Sequence, residues 1–109
     1  MDKAWAEVPA ASVPDGAWLL DVREHDEWAA GHVPGARHIP LGELGGRAGE
    51  VPQGQAVYVI CRSGGRSGRA AEALAGAGWQ AINVTGGMQG WAAAGRPMTA
   101  ESGSEPFVA

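Results

Sequence analysis

The chain has one cysteine, Cys61, in 109 residues. No intramolecular disulfide can form, and a lone free thiol suits a reducing compartment. No apolar run approaches the roughly 18 residues a membrane span requires. The opening stretch, MDKAWAEVPAAS, lacks a basic segment followed by an apolar one, so no signal peptide is expected. Positive charge is also scarce. A net charge of −4 at pH 7 gives no broad basic surface for nucleic acid or acidic lipid. These absences predict a soluble cytoplasmic protein without nucleic-acid or membrane partners. One local absence points the other way: no acid lies between Glu50 and Glu72, while Arg62, Arg66 and Arg69 fall inside that interval. Such a stretch suits a small anion better than a polyanion.

With 45% hydrophobic and 18% charged residues, the composition is that of a globular chain. A chain this long buries roughly two thirds of the surface its unfolded form exposes, enough for one core without disulfides or metal. A single domain is expected over residues 1–109, with a core of about 5–98 and a surface tail, 99–109. Strand-like runs alternate with helical ones. AWLLDV (17–22) reads as a strand, and EHDEWAAG (24–31) as a helix with acids in its first turn and a terminating glycine. A two- or three-residue strand is expected at 37–39. LGELGGRAGEVPQG reads as a short helical turn and then loop, because its glycines argue against more. AVYVI (56–60) is the clearest strand, uncharged and β-branched as if covered on both faces. SGRAAEALAGAG (67–78) reads as a helix with Ser67 at its N-cap and Ala70, Ala71, Leu74 and Ala77 on one face. WQAINV (79–84) is the last strand and GGMQGWAAAG a final short helix. This alternation predicts an α/β fold with a mostly parallel sheet and helices on both faces. Two segments, DVREHDEWAAGHVP and NVTGGMQGWAAAGRP, share their punctuation, as two strand–helix units of one sheet would.

Ligands in such folds bind at the carboxyl ends of the strands, which is where Cys61 follows AVYVI. An ordinary thiol is only slightly ionised at neutral pH, and the thiolate is the nucleophile. The residues after Cys61, RSGGRS, favour the thiolate in three ways. Gly64 and Gly65 let backbone N–H groups turn inward. The following helix presents its positive end. Arg62 and Arg66 bring full charges, and Arg66 can fork two donors to one oxyanion. Cys61 is therefore the candidate nucleophile, and Arg62, Ser63, Gly64, Gly65, Arg66 and Ser67 are the candidate anion-binding loop.

Three motifs, LLDVREHDEWAAGHVPGARHIPL, VYVICRSGGRSGRAAEALAGAG and NVTGGMQGWAAAGRPM, stand in one order from Leu19 to Met98. In this the chain resembles the rhodanese domain, a single-domain sulfurtransferase family. The resemblance implies a three-layer sandwich with a mostly parallel five-stranded sheet flanked by helices. It also implies that Cys61 accepts a sulfane sulfur from thiosulfate or a related anionic donor and passes it, through a persulfide, to cyanide, a thiol or a thiol protein. No organic cofactor or metal is implied. A persulfide-relay or docking module with weak turnover is an alternative. A related phosphatase or arsenate reductase is another, but the phosphatase pattern places five residues between Cys and Arg, whereas four separate Cys61 from Arg66, and Ile60 replaces the usual preceding histidine.

Other residues have plainer readings. Asp21 and Arg23 end a strand on the carboxyl edge, where Asp21 is expected to order the loop or to pair with Arg23 or Arg66. His25, His32 and His38 have no compact metal-ligand spacing, and His32 is expected to tie a loop by hydrogen bonds. Trp5, Trp18, Trp28, Trp79 and Trp91 are assigned to packing. Met88, in GGMQGW, is expected to pack, or to wall the pocket.

Overall fold

The computed structural model describes residues 6–109; Trp5 lies outside them. In chain order the elements are β1 (Ala6–Pro9), β2 (Trp18–Asp21), α1 (His25–Ala30), β3 (Arg37–His38), α2 (Leu41–Arg47), β4 (Ala56–Ile60), α3 (Gly65–Gly76), β5 (Gln80–Thr85) and α4 (Gly87–Ala93). Single 3₁₀ turns occupy Ala10–Ser12 and Ala48–Glu50. The sheet order is β1-β5-β4-β2-β3. Every pairing is parallel, more uniform than the mostly parallel sheet expected. No helix among the described residues is long and apolar enough to cross a membrane.

The alternation of side chains along a strand divides the core in two. Val57, Val59 and Cys61 join Leu20, Val22 and Ala81 on one face, under Leu44 of α2 and Ala70, Ala71 and Leu74 of α3. Ile60, Leu19 and Val84 face the other way, against Met88 and Trp91 of α4 and Ala10 and Val13. Trp18 and Trp79 pack half-buried on the first cluster. The result is the three-layer sandwich the resemblance implied. It places Cys61 one residue past the end of β4, on the α3 side of the sheet.

Several elements depart from the sequence reading. β1 carried no signal of its own: four residues ending in proline, formed by pairing Ala6–Pro9 with Ile82–Thr85. α2 is a full seven-residue helix despite three glycines, held by burial of Leu44. α3 begins at Gly65, with Gly64 rather than Ser67 as its N-cap. Ser67 lies instead on the stripe facing the sheet and is fully buried. Ala77, placed on that stripe from sequence, is the exposed C-cap residue.

Residues 100–109 run back along α1. Glu101 N donates to Ala29 O at 3.1 Å, and Phe107 N to Ala30 O at 3.1 Å. Trp28 Nε1 donates to Glu101 Oε1 at 3.1 Å. Val108 packs against the α4-side cluster. The tail lies on the surface and is docked there.

Candidate active site

The cysteine loop turns sharply after β4. Gly64 has φ +110°, in the left-handed region, where a side chain is strained. That turn aims its N–H back at the sulfur: Gly64 N donates to Cys61 Sγ at 3.1 Å. Ser67 Oγ lies 3.3 Å from the same sulfur. Burial pushes the Cys61 thiol up. The Ser67 hydroxyl and the N–H groups of Ser67, Gly64 and Ser63 push it down by more, so the thiol lies below its ordinary value. Cys61 is only 1% exposed, so the sulfur is enclosed by its own loop rather than presented to solvent.

The start of α4 holds the loop in this shape. Met88 N donates to Cys61 O at 2.8 Å and Gln89 N to Arg62 O at 3.0 Å. Gly87 (φ +54°) makes this approach possible, since a Cβ there would collide with the Cys61 carbonyl and lie 2.7 Å from that of Arg62. GGMQGW therefore reaches the loop through its backbone, while the Met88 side chain is buried in the core. Gly87→Ala is expected to destabilise the fold by about 2–4 kcal/mol through strain and overpacking. A urea midpoint reads this, and the pH profile of Cys61 alkylation should move toward that of an ordinary thiol.

The two loop arginines are not free cations. Arg66 forms a bidentate pair with Glu27 of α1, Nη1 to Oε1 at 2.7 Å and Nη2 to Oε2 at 2.8 Å. Arg62 is exposed, and its Nε donates to Ala109 O at 3.0 Å. Arg69 is exposed on the groove between α2 and α3, beside Leu41 and Leu44. The acid-free interval in the sequence is thus neutralised in part by an acid 39 positions from Arg66. In the sequence Glu27 is one of the first-turn acids of the run over 24–31. It does hold that position, since Oε1 also accepts from Glu24 N at 3.0 Å in a capping box.

The Glu27 carboxyl is lowered to about 2, chiefly by its hydrogen bonds from Arg66, against the opposing effect of burial. A carboxylate depressed in the folded state contributes stability that is fully present above its unfolded value and is lost as pH falls through about 2. Glu27→Gln keeps an acceptor for Glu24 N and removes the charge. It is expected to cost roughly 1–3 kcal/mol at neutral pH, discounted because Arg66 is partly exposed. It should also flatten the loss of stability between about pH 5 and pH 2. Urea unfolding at a series of pH values measures both effects.

Asp21 and Arg23 are both fully buried. Of the partners considered, Asp21 takes Arg23: Nε to Oδ1 at 3.0 Å and Nη2 to Oδ2 at 2.8 Å. Arg23 then donates to Gly31 O at 2.7 Å and Glu27 O at 3.3 Å. The pair clamps α1, and so places Glu27 opposite Arg66. His32 Nδ1 meets Trp28 O at 2.8 Å, and its backbone bonds Thr99 in both directions. His38 Nε2 meets Arg23 O at 2.7 Å. Trp28 stacks on both rings, at 3.6 Å and 4.7 Å between centroids. His25 is exposed beside Glu43.

Cys61 is thus a buried thiol at the carboxyl edge of a parallel sheet and the start of a helix, met by the Gly64 N–H and the Ser67 hydroxyl. Residues 3–94 match the family described as the rhodanese-like domain. The chain belongs to that family. The sulfurtransferase of Allochromatium vinosum is 36% identical over 86 residues, which span 78% of this chain and 80% of that one. YrkF of Bacillus subtilis, provisionally named a sulfur carrier protein, is 46% identical over 74 residues. That match covers 67% of this rhodanese-like chain but only 40% of YrkF. The crystal structure of a rhodanese-related protein from Thermoplasma volcanium superposes with a TM-score of 0.82 at 31% identity, covering 87% of this chain and 98% of that one. The chain is thus similar to proteins named as a sulfurtransferase and as a sulfur carrier, and spans less than two thirds of YrkF.

Asn83 was not singled out from sequence, although a polar residue inside the apolar run AINV was its signal. Its side chain bonds both Ser67 and the Gly64 carbonyl.

Proposed function

We propose that the protein transfers a sulfane sulfur from thiosulfate or a related donor to a thiol or cyanide through a persulfide on Cys61. The carrying observation is the Gly64 N–H aimed at Cys61 Sγ at 3.1 Å, which stabilises a thiolate. In the first step the Cys61 thiolate attacks the outer sulfur of thiosulfate. A sulfur–sulfur bond forms to Cys61, the sulfur–sulfur bond of thiosulfate breaks, and sulfite leaves with the electron pair. In the second step cyanide attacks the outer persulfide sulfur, thiocyanate forms, and the thiolate returns. Charge balances in both steps, and neither calls for a metal or redox cofactor. Covalent catalysis of this kind gives ping-pong kinetics. The inward N–H groups of Ser63, Gly64 and Ser67 hold the anionic sulfur before and after loading. Arg62 and Arg66 attract the donor. A single free thiol suits a cytoplasmic setting.

The Arg66–Glu27 pair favours a second reading of the donor. The Arg66 guanidinium, committed to the Glu27 carboxylate, brings no surplus charge for a small dianion, which suits sulfur delivered on a thiol and a relay role. Intact mass after incubation with thiosulfate, and separately with glutathione persulfide, tests both readings. A gain of one sulfur atom, removed by cyanide, supports transfer. Loading by the persulfide alone selects the relay. An unmodified chain with both donors rejects the proposal.

A further inference from the structure

The Ser67 hydroxyl lies within reach of two acceptors but has one hydrogen. It is 3.3 Å from Cys61 Sγ and 2.6 Å from Asn83 Oδ1. All three residues are buried. The orientation of the Asn83 amide decides where the hydrogen goes. Its Nδ2 faces the Gly64 carbonyl at 3.2 Å and Glu7 Oε2 at 3.0 Å. A carbonyl only accepts, so Nδ2 must stay on that side and Oδ1 must face Ser67. The shorter contact therefore takes the hydrogen.

We propose that Asn83 is a positioning residue that tunes the sulfur by drawing the Ser67 proton away from it. The backbone N–H groups then carry most of the thiolate's charge, and the Ser67 hydroxyl, shared with the closer Asn83 Oδ1, gives the sulfur less than a full hydrogen bond. A thiolate with fewer donors is more basic and a stronger nucleophile, because reactivity rises with basicity with a Brønsted slope of about 0.4–0.5. Asn83 thereby trades some ionisation for reactivity. The charged groups around the sulfur come from four elements: Arg62 and Arg66 in and after the loop, Glu27 with Glu24 from α1, Glu7 from β1 through Asn83, and the internally paired Asp21–Arg23 at the end of β2. Asn83 also donates to Glu7 and to the Gly64 carbonyl, so the Ser67→Ala background is what separates its action through Ser67 from its action through them. The inference rests on Cys61 as the reacting sulfur.

The test is the pH profile of Cys61 alkylation by iodoacetamide, in which the thiolate displaces iodide, with Asn83→Leu, Ser67→Ala and the double variant. Asn83→Leu keeps the bulk and frees the Ser67 proton for the sulfur. One additional charge-assisted hydrogen bond raises the thiolate fraction up to roughly tenfold. The variant is therefore expected to react several-fold faster than wild type at low pH and about two- to threefold slower on the high-pH plateau. The two profiles cross. In the Ser67→Ala background, Asn83→Leu has nothing to act through and the profile stays where Ser67→Ala left it. Parallel profiles, or an equal Asn83→Leu shift in both backgrounds, would overturn the proposal. Because alkylation needs no sulfur donor, this result stands apart from the loading experiment. A chain that loads sulfur with uncrossed profiles refutes the Asn83 role alone. Crossed profiles in a chain that never loads refute only the transfer reading.

Discussion

Cys61→Ala is expected to abolish sulfur loading and to lower any donor-dependent turnover by three orders of magnitude or more, because the covalent intermediate has no other thiol to form on. The fold should survive. Cys61 is a small member of a cluster that also holds Leu20, Val22, Val57, Val59 and Leu74, so deleting its sulfur leaves a small cavity worth about 1–2 kcal/mol. A cooperative urea transition with no persulfide by mass is the expected pair of results. Wild-type turnover in this variant would remove Cys61 from the chemistry.

Asp21→Ala should cause the largest loss of stability in the molecule. It leaves the Arg23 guanidinium fully buried and takes away its three charge-assisted bonds to the Asp21 carboxylate. Breaking one side of a buried pair costs about 3–5 kcal/mol, because the remaining charge is uncompensated. Against a typical domain stability of about 5–15 kcal/mol, this corresponds to a fall of roughly 15–30 °C in Tm. Replacing both partners, as Asp21→Leu with Arg23→Met, should recover much of the loss. The recovered protein tests what the pair is for. With the fold restored but Arg23 no longer holding Gly31 O and Glu27 O, α1 loses its anchor, and the Glu27–Arg66 pair should loosen. A Tm change under about 5 °C in Asp21→Ala would mean that the pair is solvated.

The features legible in the sequence were those written in local pattern. The uncharged run of β4, the glycine that stops α1, and the Gly-Gly turn after Cys61 each carry their reason in adjacent residues. What escaped was set by partners distant in the chain. β1 is four residues with exposed ends, and only its register with β5 makes it a strand. α2 overrides the low helix propensity of Gly42, Gly45 and Gly46 by burying Leu44 and pairing Arg47 with Glu43 and Glu50. Ser67 has the composition of an N-cap, yet the helix starts two residues earlier because Gly64 adopts the left-handed turn that aims its N–H at the sulfur. The positive interval around Cys61 was real in sequence and partly cancelled in space, since Glu27 comes from a different βα unit. Asn83 shows the same limit. Its oddity inside an apolar strand was visible, but its partners Ser67 and Gly64 lie 16 and 19 positions away.

All of the proposed chemistry requires the loop to hold Cys61 as an anion despite its burial. Ultraviolet absorbance of the thiolate, titrated in the wild-type protein against Cys61→Ser, measures that state without any donor or acceptor. The midpoint should lie below the 8.5 or so of an ordinary cysteine, since the Ser67 hydroxyl and the N–H groups of Ser67, Gly64 and Ser63 together outweigh burial. A midpoint at or above that value would mean that burial prevails, and the loop would then be a cover for an inert thiol rather than a cradle for a reactive one.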